Sequence, residues 1–466
     1  MRIALIAMSG IRACDTELLE LGLTLPGFVE RSKTIASLPS LGLLTLAGMT
    51  PPQHQVTYLE VADLREFPES AAGARPEIAN RAGMPMDFDL VAISSFSAQI
   101  KEGYELARRF VAAGVPVVMG GLHVTSVPDE PARYGASAII GEGEVVWPEV
   151  LADAQAGRLK PLYDARGREF DLSAAPMPAY DLLDFSRYNR LTVQTSRGCP
   201  WRCSFCAASI LLTKRYKQKP VPLVLAEIDR IRSLWKRPFI EFADDNAFVH
   251  RAWWKQFLPE LSRRHVKWFA ETDVSVADDE ELLAMMRQAG CAEVLIGFES
   301  PVEEGLDDLE LRRNWKRDRF PSYRRTIQTI QDHGIRVNAC FVLGLDGHGP
   351  GIFDAVYDFV EQTTPYDVQI TYLTPFPGTP LYLQLKRQGR LLYDQAWERC
   401  TLFDVNFRPA RMSAEELRRG FHDLARRLYC DEFTAYRRAA FHRDYMTRLR
   451  ASRRRANLAE PVSRSI

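Results

Sequence analysis

The chain has 466 residues and carries 60 Lys+Arg against 60 Asp+Glu, a formal net charge of +0. With 46% hydrophobic and 26% charged residues it has the composition of a folded globular protein, long enough for two or three domains, and dominant disorder is excluded. The neutral balance argues against binding driven by bulk attraction to nucleic acid or an anionic membrane, and no run of apolar residues is long enough for a transmembrane helix.

The opening MRIALIAMSG reads as a buried first strand, because Arg2 alone precedes the apolar run and Asp15 and Glu17 soon follow; a signal peptide would differ on both counts. Over 1–155 short apolar runs alternate with helical stretches. Strands are predicted at Ile3–Ala7, Gln55–Leu59, Leu90–Ser94, Pro116–Met119 and Ala138–Ile140, with helices at Ser40–Met49 and Ala98–Ala113 among them. That rhythm belongs to a Rossmann-like, doubly wound parallel sheet, whose ligands bind at the carboxyl ends of the strands. Small residues gather at those ends: Ser94-Ser95, Gly120-Gly121 and Gly141-Glu142-Gly143-Glu144.

Residues 156–188 break the rhythm with Pro161, Pro176 and Pro178, and are expected to form a linker across the surface. A second series, 189–400, has predicted strands Leu191–Thr195, Phe239–Ala243, Lys267–Glu271, Glu293–Phe298, Val337–Leu343 and Val368–Leu373. Helices are predicted near 219–233, 251–264, 278–289, 319–333, 350–363 and 380–388. Six βα units fit a partial (β/α)6 barrel better than a full eightfold one. The remainder, 401–466, reads as a helical C-terminal tail. Its arginines (Arg437, Arg438, Arg453, Arg454, Arg455) are expected on the solvated face of an amphipathic helix packed on the barrel.

Eight cysteines are too sparse for a disulfide scaffold, yet three fall together in TSRGCPWRCSFC, residues 195–206. The spacing C-x3-C-x2-C follows a predicted barrel strand, so the three thiolates share one loop at the carboxyl end of the barrel. Soft thiolates on a short loop suit zinc or an iron–sulfur cluster. Zinc wants a fourth ligand, and no second CxxC or CxxH follows nearby; three ligands on a four-iron cluster leave one iron open to a small molecule. Cys291 and Cys340, in apolar strand contexts, read as inert core thiols, and Cys400 and Cys430 as structural.

This motif, with the aromatic Phe205 before its last cysteine, resembles the signature of radical S-adenosylmethionine (SAM) enzymes. The resemblance spans residues 190–390 and continues at successive strand ends: EFADDN (241–246), Glu271-Thr272-Asp273, GFES (297–300), FVLGLDG (341–347) and TPFPGTP (374–380). It implies a [4Fe-4S] cluster on Cys199, Cys203 and Cys206, and SAM held by Phe205, Asp244, Asp245, Asp273, Glu299 and Ser300. Carboxylates there would suit the ammonium and ribose hydroxyls of SAM, with helix capping the alternative for Asp244, Asp245 and Glu299.

The preceding segment resembles the cobalamin-binding domain of class B radical SAM enzymes, through PSLGLLTLA (39–47), ISSF (93–96), MGGLH (119–123) and GEGE (141–144). The resemblance implies cobalamin against Ser94, Ser95, Gly120, Gly121, Gly141, Glu142 and Gly143. The Asp-x-His-x-x-Gly segment of methionine-synthase-like proteins, whose histidine ligates cobalt, is absent, and His123 reads as a hydrogen-bonded turn residue.

Together the resemblances imply a methyltransferase moving a methyl group from methylcobalamin to an unactivated carbon of a small or lipid-like metabolite, with no catalytic side chain assigned. Cyclisation, ring contraction or oxidation with the same cofactors is an alternative. A corrinoid sensor with a degenerate barrel is another, and the intact cysteine motif argues against it. The expected setting is cytoplasmic, with an electron donor such as flavodoxin or ferredoxin and no nucleic acid. The strand ends of the first domain are expected to face the barrel mouth across one cavity.

Overall fold

The computed structural model describes residues 1–10, 13–15, 17–18, 38–66, 86–212 and 215–459. Strands β1 (Arg2–Met8), β2 (Gln55–Val61), β3 (Leu90–Ser94), β4 (Val117–Gly120), β5 (Ser137–Ile140) and β6 (Leu162–Asp164) form one parallel sheet in the order β2-β1-β3-β4-β5-β6. Strand β1 is apolar throughout after Arg2 because both of its faces are covered. Ala4, Ile6 and Met8 pack with Ile100, Tyr104, Ala107 and Phe110 of the helix Ile100–Ala112. Ile3, Leu5 and Ala7 meet Leu43, Ala47, Trp147 and Val150 of the helices Leu41–Met49 and Gly143–Gln155 on the other side. Each fully buried Leu, Ile, Val, Met or Phe among them contributes about 1.5–3 kcal/mol by leaving water, and each alanine less.

The stretch expected to be only a linker supplies the sixth strand. Leu162 pairs with Ala138 and Asp164 with Ile140, an edge addition too short to show a period in sequence. The chain then crosses beneath the helix Leu41–Met49, where Ala179 N donates to Leu44 O at 2.9 Å and the Met177 carbonyl lies against Gly48.

Strands β7 (Leu191–Val193), β10 (Phe239–Phe242), β11 (Lys267–Thr272), β12 (Cys291–Glu299), β13 (Arg336–Leu343) and β14 (Asp367–Tyr372) form the second parallel sheet, in sequence order. Between β7 and β10 lies a two-stranded antiparallel ribbon, β8 (Ser196–Arg197) with β9 (Lys217–Gln218). Ile240, Phe242, Val294, Ile296, Phe298, Val337, Ala339 and Phe341 join the helical core. Alternation along each strand turns Glu241, Glu271, Glu293, Asn338, Cys340, Gln369 and Thr371 to the concave face. The interior of this sheet is therefore polar.

Two helices close the chain, Ala414–Tyr429 and Asp431–Ala459. The first starts in a capping box of Ser413 and Glu416, and its Phe421 ring lies 4.0 Å from that of Tyr372. The expected solvated basic face needs correction at Arg437, which is 1% exposed. Its guanidinium donates to Leu428 O at 3.1 Å and Tyr366 O at 3.4 Å. Leu428 belongs to the last turn of the preceding helix, whose carbonyls have no partner within the helix, and a guanidinium satisfies them. Arg438 donates to Asp367 at 2.9 Å. Arg453, Arg454 and Arg455 lie outside the described side chains. Among the described residues no helix is long and apolar enough to cross a membrane.

Candidate active site

The three-cysteine loop leaves β7 and is held at its root by Asp244, the residue two beyond β10. One Asp244 oxygen accepts from Thr195 N at 2.7 Å and Ser196 N at 2.9 Å, and the other from the Thr195 hydroxyl. Burial pushes this carboxyl up to about 6 against those three donors. Asp244 is thus turned into the loop's backbone, away from the open cavity. Its neighbour Asp245 lines the cavity and accepts from Gly198 N at 2.7 Å, an approach that the positive φ of Gly198 (94°) permits.

Further along, Asn246 sends its amide to Cys199 Sγ at 3.7 Å and to Asp273 at 2.7 Å. Asp273 also accepts from Trp201 Nε1 at 2.7 Å and from Ser275 N at 2.8 Å, so both its oxygens position neighbouring chain. Trp201 stacks on Trp315 with centroids 4.1 Å apart. Beyond Trp201 the loop is clipped to 309–311: Ser204 N donates to Leu309 O at 2.7 Å and Leu311 N to Arg202 O at 2.9 Å.

Cys203 is buried, and Cys199 and Cys206 are half-buried. Burial pushes the Cys199 thiol up to about 11 and Cys203 higher still, with Cys206 raising both and Lys316 lowering both. Such thiols are neutral until a metal displaces their protons, and an amide donor at Cys199 Sγ suits a ligating sulfur. The donor set fits an iron–sulfur cluster.

Glu299 ends β12 with a positive φ of 63°, and its Oε1 accepts from Lys316 Nζ at 2.6 Å. The same ammonium reaches Gly297 O at 2.9 Å. Ser300 is tied to His348, 2.9 Å from Nε2, and to Val302. Phe205 packs against the barrel core. Glu241 pairs with Arg190. Glu271 is exposed to the open mouth of the concave face, where the surrounding barrel wall limits its hydration and, with the Glu241 and Asp245 charges, pushes it up to about 8. Cys340, expected as a core thiol, is instead half-buried on this concave face.

A cavity of about 540 Å³ lies between the two sheets. Ser94, Ser95, Gly120, Gly121, Gly141, Glu142 and Gly143 line it from the first sheet, and Gln194, Arg197, Glu241, Ala243 and Asp245 from the second. Asp244, Asp273, Glu299 and Ser300 are not on its wall. At Gly143 an added Cβ would meet nothing nearer than 3.9 Å, so a flat group can lie close to the backbone. Among the described residues no histidine lines the cavity. His123 is buried behind it, with Ser97 Oγ at 3.0 Å and Glu130 at 3.1 Å. The lining fits a broad, largely apolar macrocycle bound without a histidine ligand.

Glu142 lines this wall, but its carboxylate is already engaged. It accepts from Lys217 Nζ at 2.6 Å, Arg197 Nη1 at 2.7 Å and Phe170 N at 2.9 Å. Burial alone would raise it, yet these donors hold it below the ordinary carboxylate range. Sequence reasoning missed Arg197 and Lys316 as site residues, and it quoted Asn246 and Glu271 within strand-end motifs without giving either a role. Arg197 could have been found as the cation in one strand-end turn opposite the two acids of another. Lys316, far from any strand end, carries no local signal.

Models of known families match three consecutive segments: the B12 binding domain over 33–151, the Radical SAM superfamily over 193–360 and a domain of unknown function over 379–464. An uncharacterised methyltransferase of Synechocystis sp. is 30% identical over 382 residues, 80% of this chain and 68% of its own. The chain belongs to the cobalamin-dependent radical SAM enzymes. Bacteriochlorophyllide d C-12(1)-methyltransferase of Chlorobaculum tepidum is 28% identical over 401 residues, 84% of this chain and 82% of its own. The fold is shared with the radical SAM methyltransferase TsrM of Kitasatospora setae, solved with cobalamin and a [4Fe-4S] cluster, at a TM-score of 0.63 and 17% identity over 92% of this chain and 86% of that one. This member of the family is a methyltransferase whose cofactors are a [4Fe-4S] cluster, SAM and cobalamin.

Proposed function

We propose that the enzyme methylates an unactivated carbon of a small or lipid-like metabolite that enters the cavity between the sheets. The observation that carries this reading is the shared wall: glycine- and serine-rich strand ends on one side, the barrel mouth on the other, with the cysteine loop adjoining. Similarity to the bacteriochlorophyllide d methyltransferase makes a chlorophyll-type macrocycle the first acceptor to test.

In this reading Cys199, Cys203 and Cys206 hold the cluster. Asp245, Glu299 and Ser300 meet SAM, with Phe205 packed beside them. Asp244 and Asp273 act through the loop that they brace. Ser94, Ser95, Gly120, Gly121, Gly141 and Gly143 cradle cobalamin, and Glu142 contributes its backbone to the cradle. The bound cofactors supply one-electron chemistry and a transferable methyl group; the chain supplies position, in a cleft shared by the two sheets. Residues 1–155 then form the cobalamin-binding domain, 156–188 a linker that adds strand β6, 189–400 the radical SAM barrel and 401–466 a helical region. A low-potential electron donor of the flavodoxin or ferredoxin type and a reducing, cytoplasmic setting complete the proposal.

Anaerobic turnover with methyl-labelled SAM tests it. Label in the acceptor together with 5′-deoxyadenosine is the expected result. An unlabelled, cyclised or oxidised product would overturn methyl transfer, and absence of 5′-deoxyadenosine under reduction would point to a corrinoid sensor.

A further inference from the structure

The cysteine loop is fastened to the first sheet on both sides of its three thiols. Arg197, two residues before Cys199, donates from Nη1 to Glu142 at 2.7 Å and from Nη2 to Glu144 at 2.7 Å. Its third acceptor, Gln194 at 2.9 Å, fixes the fork from its own side of the cavity. Lys217, paired across the ribbon with Arg197, reaches both oxygens of Glu142 at 2.6 and 2.7 Å and the Phe170 carbonyl at 3.0 Å. The four side chains are only 5–16% exposed, so this is a desolvated quartet and not a surface pair.

After Cys206 the chain turns through the π-helix Ala208–Leu212, which packs on the short helix Leu122–Ser126 that follows Gly120-Gly121. Gly378 fills that junction: an added Cβ would come within 2.8 Å of Ser126 and 3.1 Å of Leu211. The glycine turns on the cavity wall and the loop bearing the thiols are therefore tied together, by charge on one flank and by close packing on the other.

We propose that Arg197 is a positioning residue that couples the two cofactor sites: through Glu142 and Glu144 it gives the Gly141–Glu144 turn and the Cys199 loop a single seating, which both cobalamin and the cluster favour. The inference rests on the reading of the cavity as the cobalamin site. Two ligands that select the same arrangement raise each other's affinity by the same factor, typically about 5–150-fold. A guanidinium suits the task because one rigid fork addresses two carboxylates; an ammonium in its place keeps the charge and loses the second bond.

The test is a titration of the full-length protein with hydroxocobalamin, followed by visible absorbance, on cluster-loaded and iron-free preparations of the wild type and of Arg197→Gln, Arg197→Lys and Glu144→Gln. The proposal expects cobalamin to bind the cluster-loaded wild type at least about fivefold more tightly than the iron-free form. It expects that ratio to fall to one in Arg197→Gln, with iron content retained, and part of it to survive in Arg197→Lys. Glu144→Gln, which lies outside the cysteine loop in sequence and leaves Arg197 and its bond to Glu142 in place, should lower the ratio, and it decides the matter if Arg197→Gln fails to hold iron. Equal affinities in the two wild-type preparations, or an unchanged ratio in both Arg197→Gln and Glu144→Gln, would overturn the coupling alone. Binding of cobalamin to neither preparation would overturn the reading of the cavity and the coupling with it.

Discussion

Both sheets present their functional residues at the carboxyl ends of parallel strands, but they are wound differently. In the first, β1 has β2 on one side and β3 on the other, so the chain reverses direction across the sheet and opens a crevice where it does so. Helices cover both faces, the interior is apolar, and only the rim is available for binding. In the second, the order from β7 to β14 never reverses, so the sheet curls in one sense, its helical core lies to one side and its concave face carries Glu241, Glu271, Glu293 and Gln369. A doubly wound sheet is suited to cradling a large flat ligand against its edge. A curled one offers an interior in which charge and hydrogen bonding can be placed in depth.

The difference can be broken one sheet at a time, and the largest effect is expected at the cysteine loop. Cys203→Ala should reduce bound iron to background and abolish reductive SAM cleavage, while cobalamin still binds the first sheet with the weaker affinity of the iron-free form; complete loss of cobalamin with the iron would mean that the first sheet cannot bind it alone. The polar interior of the second sheet should next show in the pH dependence of stability. Glu293 is fully buried on the concave face, and burial, aided by the Asp367 charge, pushes it up to about 8 against the neighbouring Asn338 amide and the Arg336 and Arg438 charges. The folded chain then keeps a proton that the unfolded chain releases above pH ~4.3, so stability falls as pH rises between those values and stays low above them. Glu293→Gln removes that fall and should raise the urea midpoint at pH 9 above that of the wild type, with little difference between the two at pH 4. A wild type with flat stability from pH 5 to 9 would contradict the buried carboxyl.

At the rim of the first sheet, Gly143→Phe places a ring in the open space above the turn. Cobalamin affinity should drop about tenfold, equivalent to about 1.4 kcal/mol, with iron content unchanged. The smallest effect is expected outside both sheets. Ser413→Ala removes the cap of the helix Ala414–Tyr429 and should cost about 1 kcal/mol in thermal or chemical stability, with both cofactors bound as before.

How much of this was legible in advance depended on how local the signal was. Strand and helix positions in both sheets follow from periodicity, and the strands differ from expectation by a residue or two, as at β1 (Arg2–Met8 for Ile3–Ala7). The cysteine loop is legible because three ligands fall within eight residues. Acids at strand ends could be seen, but not their assignments: Asp244 accepts from backbone 49 residues earlier, and Asp273 from Trp201, 72 residues away. β6 was missed because three residues on an edge strand show no period. Arg437 was misjudged because a charged residue opposite the orphan carbonyls of a neighbouring helix looks, in sequence, like any solvated arginine.

The clip between the cysteine loop and residues 309–311, completed by Leu381 N donating to Ser204 O at 3.1 Å, has a consequence for biosynthesis. The loop's last anchor is made 175 residues after Cys206 (381 − 206), which at about 5–20 residues per second is about 10–35 s of translation. During that interval the thiols leave the ribosome without the walls that later shield them. The native seating of the loop is therefore complete only when the sixth βα unit of the barrel has been made, so the cluster site is assembled from parts of the chain far apart in the order of synthesis.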